Sequence, residues 1–245
     1  MTLRSIIIWR YTEVLFLILC LFIIQFVFMS EKDNFQLKEV ASSNIYIIVT
    51  TSIIDPNDSL RKQQYIDGIQ SLHSHIDRLP SAKVIIVENN GKRETYLDEL
   101  GFDIFYTDNN SLPVEKGVKE IQDILDCIDT YNIRPDDFIV KMTGRYRLAE
   151  YSDFFQSVSR LNDEVHCIIK YANINERSKH VVDKSDCITG LIGMRAKYIQ
   201  QIDDSLTPIE WAWAKKSSTI PEENVIILDT LGIHISVGQN NYSLW

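Results

Sequence analysis

Lysine, threonine, glycine, arginine and tyrosine crowd into Lys141-Met142-Thr143-Gly144-Arg145-Tyr146, directly after the apolar run Phe138-Ile139-Val140. An ammonium, a guanidinium, a hydroxyl and a glycine backbone together suit an anion. The guanidinium offers a planar fork of donors that matches phosphate oxygens. Glycine lets the main chain come close to a ligand. Cations at the end of a buried strand are costly unless an opposite charge meets them. The chain around them is acidic, with 34 Asp+Glu against 25 Lys+Arg and a net charge of -9. That balance argues against broad nucleic-acid binding, which needs a basic face.

Other polar residues stand at comparable places. Thr50, Thr51 and Ser52 end the β-branched run from Asn44; Glu88, Asn89, Asn90 and Gly91 end the run from Ala82. Thr107 to Asn110 end the run from Phe102. In open α/β sheets, ligands bind beyond the carboxyl ends of the strands. Strand ends are also polar simply because loops are, so each of these ends can be read either way. The cation pair at the fourth end has no such ready structural reason. No GxGxxG follows the first strand and no GxxxxGK[ST] occurs, which argues against a dinucleotide site and a P-loop. The five histidines are scattered. His73 and His75 lie two apart on a predicted helix and point in different directions, so both are expected to face solvent. Cys127, Cys167 and Cys187 show no CxxC spacing, leaving buried free thiols or one disulfide, and no structural zinc site.

The elements that would position these groups follow from periodicity. The 245 residues are 45% hydrophobic and 24% charged, ordinary for a globular chain with one well-formed core. Strands are expected at Asn44–Ser52, Ala82–Gly91, Phe102–Asn110 and from Asp136 to Met142. Helices are expected at Asp58–Ile76, Glu94–Leu100 and Val114–Tyr131. Strands alternating with helices of this length specify a largely parallel sheet with right-handed crossovers. The second half reads as helices at Ser152–Leu161, Ala196–Ile202 and Ile209–Ser217. Strands are expected there at Glu164–Ala172 and Asp186–Arg195, with strand character again from Asn224 to Ile235.

The N-terminal run from Val14 to Met29 is apolar apart from Gln25, and extending it back to Ile6 takes in Arg10 and Glu13. It approaches the roughly 17–25 residues that span a bilayer. A cleaved signal peptide would have a shorter apolar core followed by small residues. Here Phe26-Val27-Phe28-Met29-Ser30-Glu31 follows, so an uncleaved anchor is expected. Arg4 and Arg10 put the N-terminus in the cytosol by the positive-inside rule. The expected layout is a cytosolic tail (1–13), a span (14–29), a stem (30–43) and a domain (44–245), a single-pass type II membrane protein. The compartment would be the Golgi or ER lumen in a eukaryote, and otherwise a cell or viral membrane. Sequons at Asn57, Asn109 and Asn241 fit a lumenal domain.

Several of these segments together resemble a family. The first strand ending in Thr50-Thr51-Ser52, Arg61 and Tyr65 on the next helix, Val84 to Gly91, and Lys116-Gly117-Val118 opening a helix are similar to nucleotide-sugar glycosyltransferases. So is the segment from Phe138 to Leu148, and so is Cys187 to Arg195 followed by Tyr198. The similarity is to enzymes of the GT-A fold, of the bacterial and large-DNA-virus type with a K-x-[ST]-G-R-Y segment. The resemblance implies an α/β, Rossmann-like, mostly parallel sheet flanked by helices. It also implies transfer of a sugar from a nucleotide-diphosphate donor to a glycan or lipid acceptor. Many such enzymes hold Mn²⁺ or Mg²⁺ with an Asp-x-Asp at the end of the fourth strand. This chain has none, and Asp136-Asp137 stands at that strand's other end.

By the same resemblance, Thr50, Thr51, Ser52, Arg61, Glu88, Asn89 and Lys116 would line the nucleotide pocket. Lys141, Thr143, Gly144, Arg145 and Tyr146 would meet the diphosphate in place of metal. Arg61 reads equally as a solvated helical arginine and Glu88 as a turn carboxylate. Inverting transfer needs a general base. Glu210, ahead of Trp211 and Trp213 that could stack on sugar faces, is the first candidate and Asp186 the second. Glu210 also suits the first turn of a helix on dipole grounds alone. Two other classes stay open. One is a non-catalytic carbohydrate-binding module on a degenerate transferase fold. The other is a nucleotidyltransferase, which would need a metal-binding carboxylate pair near the phosphate.

Overall fold

Successive side chains of a strand point to opposite faces, and in β1 (Ile45–Thr51) both faces are apolar. Ile47 and Val49 enter one core cluster, Tyr46 and Ile48 the other. A strand of this kind must sit inside a sheet covered on both sides. The computed structural model places it there, and describes residues 43–174, 181–236 and 242–244. The expected tail and anchor, and the stem apart from its last residue, lie outside the described residues. Among the described residues, no helix is long and apolar enough to cross a membrane.

β1 is followed by α1 (Ser59–Gln70), α2 (His73–Ile76), β2 (Ala82–Glu88), β3 (Asp103–Tyr106), α3 (Lys116–Thr130) and β4 (Phe138–Thr143). Then come β5 (Arg147–Leu148), α4 (Asp153–Val158), β6 (Cys167–Ile169), β7 (Tyr171–Ile174), β8 (Val181–Cys187) and β9 (Leu191–Arg195). The described chain ends with α5 (Ala196–Ile199), α6 (Ile209–Ser217), β10 (Val225–Ile227), β11 (Ile233–Ser236) and β12 (Tyr242–Leu244). The main sheet has seven strands in the order β10-β6-β9-β4-β1-β2-β3. All its pairings are parallel except those of β9, which runs antiparallel to both β4 and β6. α3 and α6 cover one face through Ile121, Ile124, Ile128, Ala212 and Trp213. α1 and α4 cover the other through Tyr65, Ile69, Phe154 and Phe155. The expected mostly parallel sheet flanked by helices is what forms.

Several expected elements are divided. The helix expected over Asp58–Ile76 breaks after Gln70. There the Ser71 hydroxyl donates back to the Gly68 carbonyl at 2.6 Å and accepts from Leu148 N–H at 2.9 Å. The strand expected over Asp186–Arg195 breaks between β8 and β9, which frees Ile188–Gly190 as a turn. His75, expected at the surface, is buried and meets the Ala149 carbonyl at 3.0 Å. Trp213 is buried in the core, so of the expected sugar-stacking pair only Trp211 is exposed. Cys127, Cys167 and Cys187 are buried free thiols, with burial pushing each well above the usual thiol range.

At the amino end of the sheet, Asp137 fastens β1 to β4. Its carboxylate is buried and accepts from Asn44 N–H at 2.8 Å, Arg134 N–H at 2.9 Å and the Arg134 guanidinium at 2.8 Å. Burial alone would raise its pKa, but these donors outweigh it and hold the carboxyl below the ordinary 3.8. A depressed folded pKa contributes stability above the unfolded value and loses it as pH falls through the folded one. Asp137→Asn should therefore cost about 2–3 kcal/mol at pH 7. In urea denaturation followed by tryptophan fluorescence, its gap from wild type should narrow only below about pH 4. An equal gap at both pH values would show that charge at Asp137 contributes nothing.

Candidate active site

The carboxyl ends of β1 to β4 face two adjoining cavities. The first, of about 420 Å³, lies against the loop after β1 and is lined by Ser52, Ile54, Asp55, Asp58, Arg61, Tyr65, Asn89 and Asn110, with Lys116 and Arg145. The second, of about 370 Å³, is lined from α3 by Glu115, Lys116, Gly117 and Glu120, and from the end of β4 by Thr143, Arg145 and Tyr146. Its far wall is Thr189 and Gly190 of the turn before β9, with Pro208, Ile209 and Glu210 at the start of α6. Lys116 and Arg145 line both.

Close backbone approach makes this arrangement possible. A Cβ on Gly68 would lie 2.1 Å from the Gly144 carbonyl oxygen, so α1 packs directly on the turn after β4. A Cβ on Gly117 would lie 2.2 Å from the Ile209 side chain, which brings the N-termini of α3 and α6 together at the second cavity. A Cβ on Gly190 would lie 2.5 Å from the Tyr146 ring. Tyr146 therefore lies against that glycine, with the Arg145 guanidinium 5.4 Å from its ring centroid.

The polar strand ends divide into scaffold and lining. Glu88 is fully buried and lines neither cavity. It accepts from the Thr51 hydroxyl at 2.8 Å, Ile53 N–H at 3.1 Å, the Asn90 amide at 2.7 Å and Arg93 at 3.2 Å. The expected nucleotide contacts Thr51 and Glu88 thus hold the loop after β1, and Thr50 is buried beside Met142. Asp123, which no motif singles out, is fully buried and binds the Asn89 amide at 3.0 Å, the Thr107 hydroxyl at 2.7 Å and the Asn109 amide at 2.8 Å. Burial raises its pKa, against the pull of those donors. The same bonds occupy the side chain of the Asn109 sequon.

Lys141 is the main correction. It is 2% exposed and lines neither cavity. Its ammonium lies 3.0 Å from Glu120 Oε2, 3.0 Å from Thr143 Oγ1 and 2.7 Å from the Thr189 carbonyl. Three donors meet three acceptors, leaving nothing for a ligand. Gly144 also lines neither cavity, and its carbonyl marks the close approach of α1. Asp186, the second candidate base, is in β8 and lines neither cavity. Ser52, Arg61, Asn89, Lys116, Thr143, Arg145, Tyr146 and Glu210 do line them. Glu120 was missed, although its place four residues after Lys116 puts both on one helix face. Thr189, within 3.4 Å of Glu210 Oε1, was hidden inside an apparently continuous strand.

Two cations, Lys116 and Arg145, stand at the shared wall. Burial would raise the Glu120 carboxyl, but Lys141 first, then Lys116 and Arg145, hold it below the ordinary range. Lys116 is pushed below the usual lysine range by desolvation, then by Arg145, Lys141 and Arg61, with Glu120 opposing. Arg145 Nε is buried with no hydrogen-bond partner among the described residues. Among those residues no cluster of three or more His, Cys, Asp or Glu side chains could hold a metal.

No protein-family model matches the chain, and no curated protein matches it. Solved structures do resemble it. A 4-diphosphocytidyl-2C-methyl-D-erythritol synthase aligns over 81% of this chain and 95% of its own, at 12% identity and a TM-score of 0.50. A Desulfovibrio desulfuricans G20 protein, provisionally assigned as a nucleotide-diphospho-sugar transferase, aligns over 76% and 80% at 15% identity and 0.45. A mannosyltransferase from Pyrobaculum calidifontis, solved with GDP-Man and Mn²⁺, aligns over 88% and 66% at 10% identity and 0.47. At such identities the likeness is one of fold.

If Lys141 is scaffold, Lys141→Met should cost about 3–5 kcal/mol by stranding the Glu120 carboxylate. Adding Glu120→Gln should restore much of that loss. Thermal and urea unfolding of both variants check this. Additive losses would show that the pair is not coupled. Because the Glu120 pKa is depressed, the wild-type contribution is present above the ordinary 4.5 and is lost as pH falls through the folded value.

Proposed function

We propose that this chain transfers a sugar from a nucleoside-diphosphate donor to a glycan or lipid acceptor. The observation that carries this is the pair of adjoining cavities divided by Lys116 and Arg145. Both volumes fall in the roughly 300–1,000 Å³ range of small-molecule sites. The first, with Asn89, Asn110, Asp55 and Asp58 on its walls, suits the base and ribose. The cations between the cavities suit the diphosphate. The second, lined by Glu120, Thr189 and Glu210, suits the sugar and the incoming hydroxyl.

In this reading the bond between the sugar's anomeric carbon and the diphosphate oxygen breaks as an acceptor hydroxyl attacks that carbon. Negative charge grows on the departing oxygen. Arg145, Lys116 and the amino end of α3 would answer it, because preorganised donors act most strongly where water is thin. For an inverting reaction, Glu210 would take the acceptor proton. Among the described residues it has no cation within ion-pair distance, and it has a hydroxyl, Thr189, beside it. Membrane attachment through residues 14–29 belongs to the same proposal and rests on the sequence alone. A chain without them should no longer sediment with membranes.

Calorimetric titration with UDP, GDP and their sugar conjugates should show binding of at least one nucleoside diphosphate at or below millimolar concentration. Turnover of the matching donor should fall at least 100-fold in Glu210→Gln, while nucleoside-diphosphate affinity changes little. Donor binding without turnover in the wild type would favour a carbohydrate-binding module. Undiminished turnover in Glu210→Gln would remove Glu210 as the base.

A further inference from the structure

Given a nucleoside-diphosphate donor, the next question is what neutralises its phosphates. A divalent cation is one answer, and it requires oxygen ligands, usually carboxylates, beside the diphosphate. The residues present do not fit it. Of the carboxylates nearest the end of β4, Glu120 is bound to Lys141 at 3.0 Å. Glu88 and Asp123 are fully buried and filled by the hydrogen bonds described above. The adjacent acids Asp136 and Asp137 stand at the other end of β4, paired to Lys197 and Arg134, both at 2.8 Å. The remaining cavity carboxylates are split, with Asp55 and Asp58 on the first cavity and Glu115 and Glu210 on the second. Asp55 and Asp58 also accept backbone N–H groups of their own turn, at 2.9 and 3.0 Å.

The shared wall carries the opposite chemistry. Lys116 and Arg145 line it and Arg61 lines the first cavity beside it; none of the three makes an ion pair among the described residues, although the chain is acidic. The Arg145 guanidinium is oriented over Tyr146, and its buried Nε lacks an acceptor among the described residues. An unmet buried donor is costly and is relieved by a ligand that accepts from it. Lys116, desolvated and set among Arg145, Lys141 and Arg61 with Glu120 opposing them, gains from an anion and is repelled by an added dication.

We propose that Arg61, Lys116 and Arg145 hold the donor's diphosphate directly, with no bridging divalent cation. This rests on the donor reading above. The test is calorimetric titration of the full chain with UDP and GDP, first in excess EDTA and then with Mn²⁺ or Mg²⁺. The expected result is binding in EDTA within about threefold of that with metal. Lys116→Ala, on the exposed rim where folding is least at risk, and Arg145→Gln should each weaken it roughly tenfold or more. Arg145→Lys should recover part of the loss by keeping the charge without the fork. Binding that appears only with metal overturns this inference and leaves the donor reading standing. No binding under either condition overturns both. Full affinity in Lys116→Ala and Arg145→Gln also overturns it.

Discussion

The ion pair between Lys141 and Glu120 is the contact on which this site is built. Lys141 is the third residue from the end of the strand at the middle of the sheet, and its ammonium is withdrawn from solvent. A buried charge is tolerable only when every donor is met. Here the acceptors come from α3, from β4 itself and from the turn before β9. Satisfying one lysine therefore fixes the relative placement of three elements that surround the second cavity. Such pairs add little net stability, but they penalise any arrangement that leaves the charge unmet.

Glu88 and Asp123 do the same for the first cavity. Each is a fully buried carboxylate whose neighbours supply hydroxyl, amide or backbone donors. Glu88 fastens the loop after β1, and Asp123 ties α3 to the ends of β2 and β3. With Glu88, Asp123 and Glu120 engaged in this way, Lys116 and Arg145 remain at the shared wall, with Arg61 on the first cavity beside them. A chain with a net charge of -9 thus keeps cations with no ion pair among the described residues at this edge, while Asp55, Asp58, Glu115 and Glu210 line the cavities on either side.

Periodicity carried most of the fold. β-branched runs apolar on both faces require an interior sheet, and the 3.6-residue spacing of Ile121, Ile124 and Ile128 requires a helix against it. Both hold. The breaks were not legible. Ser71 interrupts a helical pattern only because its hydroxyl is engaged by Leu148, 77 residues away. Ile188–Gly190 leaves a strand-like run because Tyr146 packs where a side chain on Gly190 would lie. Neither partner can be inferred from local spacing.

What the sequence alone determined is the alternation of elements, the concentration of polar residues at one edge of the sheet, and the presence of cations at the end of β4. These depend on local pattern and on the general rule for open α/β sheets. What only the tertiary structure decided is which of those residues face outward. Lys141 and Arg145 stand four apart in one segment and look alike on the page. One is surrounded by acceptors from distant elements and becomes scaffold, while the other is left with a buried nitrogen lacking a partner among the described residues. The physical reason is that a charge is silenced or exposed by its neighbours in space, and those neighbours are supplied by the fold.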